Sequence, residues 1–153
     1  MPKMKQILLA EDNVNDVELT LSALQECHLA NSVEVVRDGA EALDYLYQRG
    51  PFADAKKALP GVVLLDLKMP RIDGLEVLRQ IKSDPVLKRI PVVMLTSSRE
   101  EKDLVQSYDL GVNAFVVKPV DFTQFVEAIR ALGVFWAIVN EPSPVHAQEP
   151  TKR

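Results

Sequence analysis

A single cysteine, Cys27, occurs in the 153 residues. One thiol cannot close an internal disulfide, which fits a reducing compartment. Cys27 ends a helical pattern and reads as a small apolar filler. No apolar run is long enough to span a bilayer, and the apolar residues Ile7–Ala10 are too few for a secretory signal. The expected location is the cytoplasm, with no membrane partner. There is no basic excess: the formal net charge is −4, so nucleic acid is not an expected partner. No internal repeat is visible, and no Gly-rich or Ser/Thr-rich phosphate loop follows the first apolar run. A 47% apolar and 26% charged composition over this length fits one globular domain with a sizeable core.

What is there is a set of short apolar runs, each ending in a residue with chemical capacity. Ile7-Leu8-Leu9-Ala10 leads into Glu11-Asp12, and Val62-Val63-Leu64-Leu65 into Asp66. Val92-Val93-Met94-Leu95 leads into Thr96, and Ala114-Phe115-Val116-Val117 into Lys118-Pro119. Continuously apolar runs of this length suit parallel strands buried on both faces, and open α/β sheets place their sites at the carboxyl ends of such strands.

Helical patterns alternate with the runs. Val14, Val17, Leu21 and Leu24 follow the first, with Asn13 or Asn15 as cap. After a second strand, Val33–Val36, Asp38 reads as an N-cap, and Ala42, Leu43, Leu46 and Tyr47 share a face. Leu75, Leu78 and Ile81 mark the third helix, which Asp84-Pro85 stops. Ser98 can cap a fourth helix carrying Leu104, Val105 and Tyr108 and ending at Gly111. Asp121 with Gln124 resembles a capping box before a last helix carrying Phe125, Ile129, Leu132 and Trp136. Five βα units specify a doubly wound parallel sheet, and a strand order of 2-1-3-4-5 brings the functional strand ends together. The expected domain covers residues 1–139 with an extended last helix, and residues 140–153 form a flexible tail.

Crowded carboxylates repel one another, and a bound cation relieves that cost. Oxygen donors without thiolate or imidazole select a hard ion, Mg²⁺, or Mn²⁺ in its place. Such an ion would let an aspartate oxygen attack a phosphoryl group, with Thr96 and Lys118 binding phosphoryl oxygens once the group has arrived. Taken singly, each of these residues is an ordinary solvated or capping side chain. The joint pattern at four strand ends is what argues for a site.

The combination Leu9-Ala10-Glu11-Asp12-Asn13, Leu65-Asp66-Leu67-Lys68-Met69-Pro70-Arg71-Ile72-Asp73-Gly74, Leu95-Thr96-Ser97-Ser98 and Val117-Lys118-Pro119 resembles the receiver domain of two-component response regulators over about Lys5 to Leu132. The resemblance implies a flavodoxin-like (βα)5 fold. It implies that Asp66 accepts phosphate from a sensor histidine kinase, and that Asp12, Asp66 and the Lys68 backbone carbonyl bind Mg²⁺ directly, with Glu11 acting mainly through water. It also implies a cis Lys118-Pro119 bond. Its switch would pair movement of Thr96 with inward rotation of an aromatic, here Phe115, whose rival reading is plain core. Such a protein catalyses only its own phosphorylation and dephosphorylation and is not otherwise an enzyme.

No output module follows the last helix, so a stand-alone receiver is expected. Val134, Phe135 and Ile138 fall outside the core stripe of that helix. With Tyr108 they are the expected contacts of a homodimer through the fourth helix, fifth strand and fifth helix; a fold-back on the same subunit is the alternative. The long Gln48–Pro60 connection and the Gly133-Val134-Phe135-Trp136 ending resemble receivers paired with bacterial phytochrome kinases. A flavodoxin-type binder lacks its phosphate loop here. A Mg²⁺ phosphohydrolase would need a second acid where Lys68 stands, and the intact acid set argues against a receiver-like module that works without phosphate.

Overall fold

Parallel pairing of short apolar strands organises the chain in the order β2-β1-β3-β4-β5 expected from the sequence. A computed structural model describes residues 6–26, 33–53, 59–107, 109–112 and 114–131. The strands are β1 Ile7–Ala10, β2 Val33–Val36, β3 Val62–Asp66, β4 Val92–Thr96 and β5 Ala114–Val117. The helices between and after them are α1 Val14–Gln25, α2 Gly39–Tyr47, α3 Gly74–Ser83, α4 Arg99–Ser107 and α5 Phe122–Ala131. Cys27, Tyr108, Leu132, Val134, Phe135, Trp136, Ile138 and the 140–153 segment lie outside the described residues. The expectations attached to them are therefore carried by sequence alone.

Alternation along the central strands splits the core into two layers. Ile7, Leu9, Val62, Leu64, Val93, Leu95, Ala114 and Val116 pack with Val17 and Leu24 of α1 and Phe125 and Ile129 of α5. Leu8, Ala10, Val63, Leu65, Val92 and Met94 pack with residues of α2, α3 and α4. Caps set the helix starts. Asn13 accepts from the Asp16 N–H, Asp38 from Glu41 and Asp73 from Glu76. Asp121 accepts from the Gln124 N–H at 2.8 Å, but the Gln124 amide donates to the Pro119 carbonyl and the Asp121 carboxylate, so the box is only half formed.

Three expectations are corrected. Tyr47 is 37% exposed; Tyr45 takes the buried place instead. Its hydroxyl donates to Gln6 Oε1 at 2.7 Å and its ring meets Phe52 edge-on at 5.2 Å. Val14 and Leu104 are exposed, each at the margin of its helix's buried stripe, while Val17 and Val105 are buried. Helix α4 stops at Ser107, ahead of Gly111.

Gly74 is required by a close approach. A Cβ there would lie 2.0 Å from the Asp66 carbonyl oxygen, because the chain after β3 folds back so that the Gly74 N–H donates to the Leu67 carbonyl at 2.8 Å. Gly111 differs: its φ of +80° favours glycine, but nothing lies within 4 Å of its would-be Cβ. Gly74→Ala is accordingly expected to cost more than about 2 kcal/mol in urea unfolding, and Gly111→Ala about 1 kcal/mol. Equal costs would contradict this account of the turn after Asp66.

Candidate functional site

Register brings the polar strand ends together. Ala10 pairs with Leu65, so Glu11 and Asp66 stand side by side one step beyond. Asp66 pairs with Leu95, and Thr96 with Val117, which sets Thr96 and Lys118 at the same edge. Ladder bonds continue past the strands: the Glu11 N–H donates to the Val36 carbonyl at 3.0 Å and the Lys118 N–H to the Thr96 carbonyl at 2.7 Å. The Lys118-Pro119 bond is cis. Asp66 keeps step with Leu64 and Val62, so its side chain emerges on the α1/α5 layer.

Glu11, Asp12 and Asp66 each offer a carboxylate oxygen, and these oxygens lie within 4.8 Å of one another. Glu11 is fully buried, Asp66 is 3% exposed and Asp12 faces solvent. The Lys118 ammonium reaches Glu11 Oε1 at 3.2 Å and Asp66 Oδ1 at 3.1 Å. Among the described residues the Lys118 ammonium thus contacts two of the three clustered acids, all of them oxygen donors, with no thiolate or imidazole in the cluster. That donor set and the residual negative charge fit a hard divalent cation.

Burial, the Asp66 charge and a hydrogen bond between the two carboxyls push the Glu11 carboxyl up to about 7, against the Asn13 N–H and Lys118. Burial also raises Asp66, while the bond from Glu11 and the Lys118 ammonium pull it back. Burial and mutual repulsion thus push both carboxyls of this pair upward, and a bound cation would oppose that shift. Burial works against the charge on Lys118, but Asp16, Asp66 and Glu11 outweigh it and keep the ammonium firmly protonated.

The Thr96 hydroxyl is buried without a hydrogen-bond partner, as is that of Thr20 among the described residues. Thr20 has no evident role, whereas Thr96 ends the strand beside Asp66. Phe115 is half-buried against the α2–α4 layer, with the Lys102 ammonium 5.5 Å from its ring centroid. The Lys68 side chain turns to Glu101, 3.1 Å from Oε2, and Glu101 Oε1 accepts the Ser97 N–H at 2.8 Å.

Three contributors were not singled out from sequence. Asp16, in the first turn of α1, places Oδ2 3.0 Å from the Lys118 ammonium. The detectable signal was an acid on the first turn of a helix that starts at the sheet's carboxyl edge. Arg71, with φ +65°, forks onto Asp38 through Nε and Nη2, both at 3.0 Å, and so ties the loop after β3 to the cap of α2. Burial acts to raise the Asp38 carboxyl, yet the Arg71 bond and the Glu41 N–H hold it below the ordinary range. Glu101 is the third, joining Lys68 to Ser97; nothing short-range marked either long-range pair.

The response regulator receiver domain model matches residues 7–130. Among solved structures, the chain is similar to the bacteriophytochrome response regulator AtBRR, at 63% identity and TM-score 0.86 over 92% of this chain and 100% of that one. It is similar to the bacteriophytochrome response regulator RtBRR at 57% identity and TM-score 0.84, covering 98% and 90% of the two chains. It is 38% identical over 132 residues to response regulator Rcp1 of Synechocystis sp., spanning 86% of this chain and 88% of the relative. The Mn²⁺-bound form of Rcp1 matches at 36% identity and TM-score 0.70, over 92% of this chain and 99% of that one.

The raised Glu11 carboxyl has a pH signature. Between its ordinary value near 4.5 and about 7 the folded protein binds more protons than the unfolded chain, so stability falls as pH rises. With chelator present, urea unfolding is expected to lose about 2 to 3 kcal/mol from this group between pH 4.5 and 8, a loss that Glu11→Gln removes. Any affinity of the cluster for a divalent cation is expected to move the other way, strengthening as pH rises through 7. A metal affinity that ignores pH in this range would contradict the assignment.

Proposed function

The chain belongs to the response regulator receiver domain family, and on that premise we propose that it accepts a phosphoryl group from a sensor histidine kinase on Asp66. The observation that carries this reading is the cluster of Glu11, Asp12 and Asp66 oxygens within 4.8 Å, with the Lys118 ammonium 3.1 Å from Asp66. Similarity to the two bacteriophytochrome response regulators supports a bacteriophytochrome as the kinase. The proposed setting is the cytoplasm; among the described residues no helix is long and apolar enough to cross a membrane.

Asp12, Asp66 and the Lys68 carbonyl would hold Mg²⁺, with Glu11 acting through water; Rcp1 with Mn²⁺ bound is a precedent for the ion class in a relative. Once bound, the cation supplies charge neutralisation that lets an anionic carboxylate approach an anionic phosphoryl group. An Asp66 oxygen then forms the new P–O bond as the P–N bond to the kinase histidine breaks and the imidazole departs. The Thr96 hydroxyl, buried and unpartnered, has a donor to give to one phosphoryl oxygen. Lys118 pairs with another. The protein performs this chemistry only on itself.

Recruitment of Thr96 biases two packings of α4 and β5, and Phe115, half-buried beneath Lys102, is the aromatic that changes place. The same face, α4–β5–α5, has an open groove of about 250 Å³ lined by Phe115, Gln124, Glu127 and Ala131, among others. We assign it to a homodimer. The contribution of Tyr108, Val134, Phe135 and Ile138 rests on their sequence pattern.

Incubation with acetyl phosphate and Mg²⁺ is expected to attach about one phosphate per chain at saturation, by the aspartyl-phosphate chemistry above. Chelator or Asp66→Asn should abolish it. Incorporation that survives Asp66→Asn would remove the assignment, and turnover of an external phosphomonoester would favour a hydrolase. Sedimentation is expected to give a dimer that Phe135→Asp weakens; a monomer with and without a phosphate mimic would end the dimer proposal.

A further inference from the structure

Lys118 has three ammonium protons, and three carboxylates surround it: Glu11 at 3.2 Å, Asp16 at 3.0 Å and Asp66 at 3.1 Å. Every donor direction has a partner. To give a donor to a phosphoryl group on Asp66, the ammonium must loosen one of these contacts. Asp66 is the reacting group itself. Glu11 is fully buried and belongs to the clustered acids. Asp16 is in neither position: it lies outside that cluster, and its side chain is 26% exposed.

Asp16 can also be released at small cost. Its backbone N–H is held by Asn13 Oδ1 at 3.0 Å, a bond that does not involve the Asp16 carboxylate. The freed carboxylate would stay in the first turn of α1, where the helix dipole favours negative charge and water can reach it. A contact of 3.0 Å between partly shielded charges is strong enough to hold Lys118 at rest, and Asp16, the most solvent-accessible of its three partners, is the cheapest to let go.

We infer that Asp16 is a positioning residue that draws the Lys118 ammonium away from a phosphoryl group on Asp66, so that the resting pocket favours its unphosphorylated state. The inference rests on the phosphoacceptor reading given above. Asp16 touches neither the reacting oxygen nor the clustered acids; it acts through Lys118. The plainer role, a first-turn acid that only supports α1, predicts no effect on what Lys118 binds.

The test is the affinity of the full-length protein for beryllium trifluoride, a non-covalent phosphoryl mimic, at saturating Mg²⁺ by calorimetry. Wild type, Asp16→Asn and Asp16→Ala are compared, each alone and combined with Lys118→Met. Asp16→Asn is nearly isosteric, which guards against a folding defect in the alanine variant. Both Asp16 variants are expected to bind the mimic about threefold to tenfold more tightly, the range of a partly exposed ion pair. In the Lys118→Met background, removing Asp16 should restore nothing. Unchanged or weaker affinity overturns the inference, and so does a gain that persists with Lys118→Met, since that reports only the loss of a nearby negative charge. A wild type that binds no mimic sinks the phosphoacceptor reading itself, an outcome distinct from wild-type binding that Asp16 does not alter.

Discussion

The Lys118 ammonium, ringed by Glu11, Asp16 and Asp66 at 3.0–3.2 Å, makes the acidic sheet edge tolerable to the fold. Two of those carboxylates are all but sealed from water. An uncompensated buried charge costs several kcal/mol, a large share of a small domain's net stability. Among the described residues the Lys118 ammonium answers part of that cost, and the upward push on the Glu11 and Asp66 carboxyls shows that part of it remains. What is left is a net demand for positive charge at one place. The proposed magnesium chemistry is the satisfaction of that demand.

The scaffold around this point is stiff where it must be. Parallel register carries Asp66 and Thr96 to the edge on apolar strands, so their backbones have little freedom. The loop beyond Asp66 is closed by the Gly74 approach, tied sideways by Arg71 to the cap of α2 and tied across by Lys68 to Glu101. The groups left with something to gain are few: the Thr96 hydroxyl without a partner, the half-buried Phe115, and a lysine with a partly exposed competitor. A signalling domain of this kind needs a rigid frame with a few bistable contacts, and the described residues divide along those lines.

Much of this was legible in the chain. Buried parallel strands must be apolar on both faces, so Ile7–Ala10, Val62–Leu65 and Val92–Leu95 announced themselves, and the polar residue ending each run marked the sheet edge. The strand order followed from connection rules, and Asp38 and Asp121 were readable as caps. Helix faces were less legible. Tyr45 and Tyr47 differ by two positions on a short helix, and the choice was made by Gln6 and Phe52, which no local pattern brings near. Asp16 looked like any first-turn acid; its meaning depends on Lys118, 102 positions away. The Arg71–Asp38 and Lys68–Glu101 pairs are of the same kind, since each partner is ordinary until the fold sets them together.

The proposed divalent-cation site is made by Asp12 and Asp66, with Glu11 acting through water, so that the ion sits on the residue proposed to receive phosphate. Anomalous diffraction from crystals grown with Mn²⁺ tests it directly. The account predicts one strong peak at about 2.0–2.2 Å from carboxylate oxygens of Asp12 and Asp66, the distance expected of a hard octahedral ion. Manganese bound elsewhere on the molecule, with that edge empty at saturating metal, would contradict it.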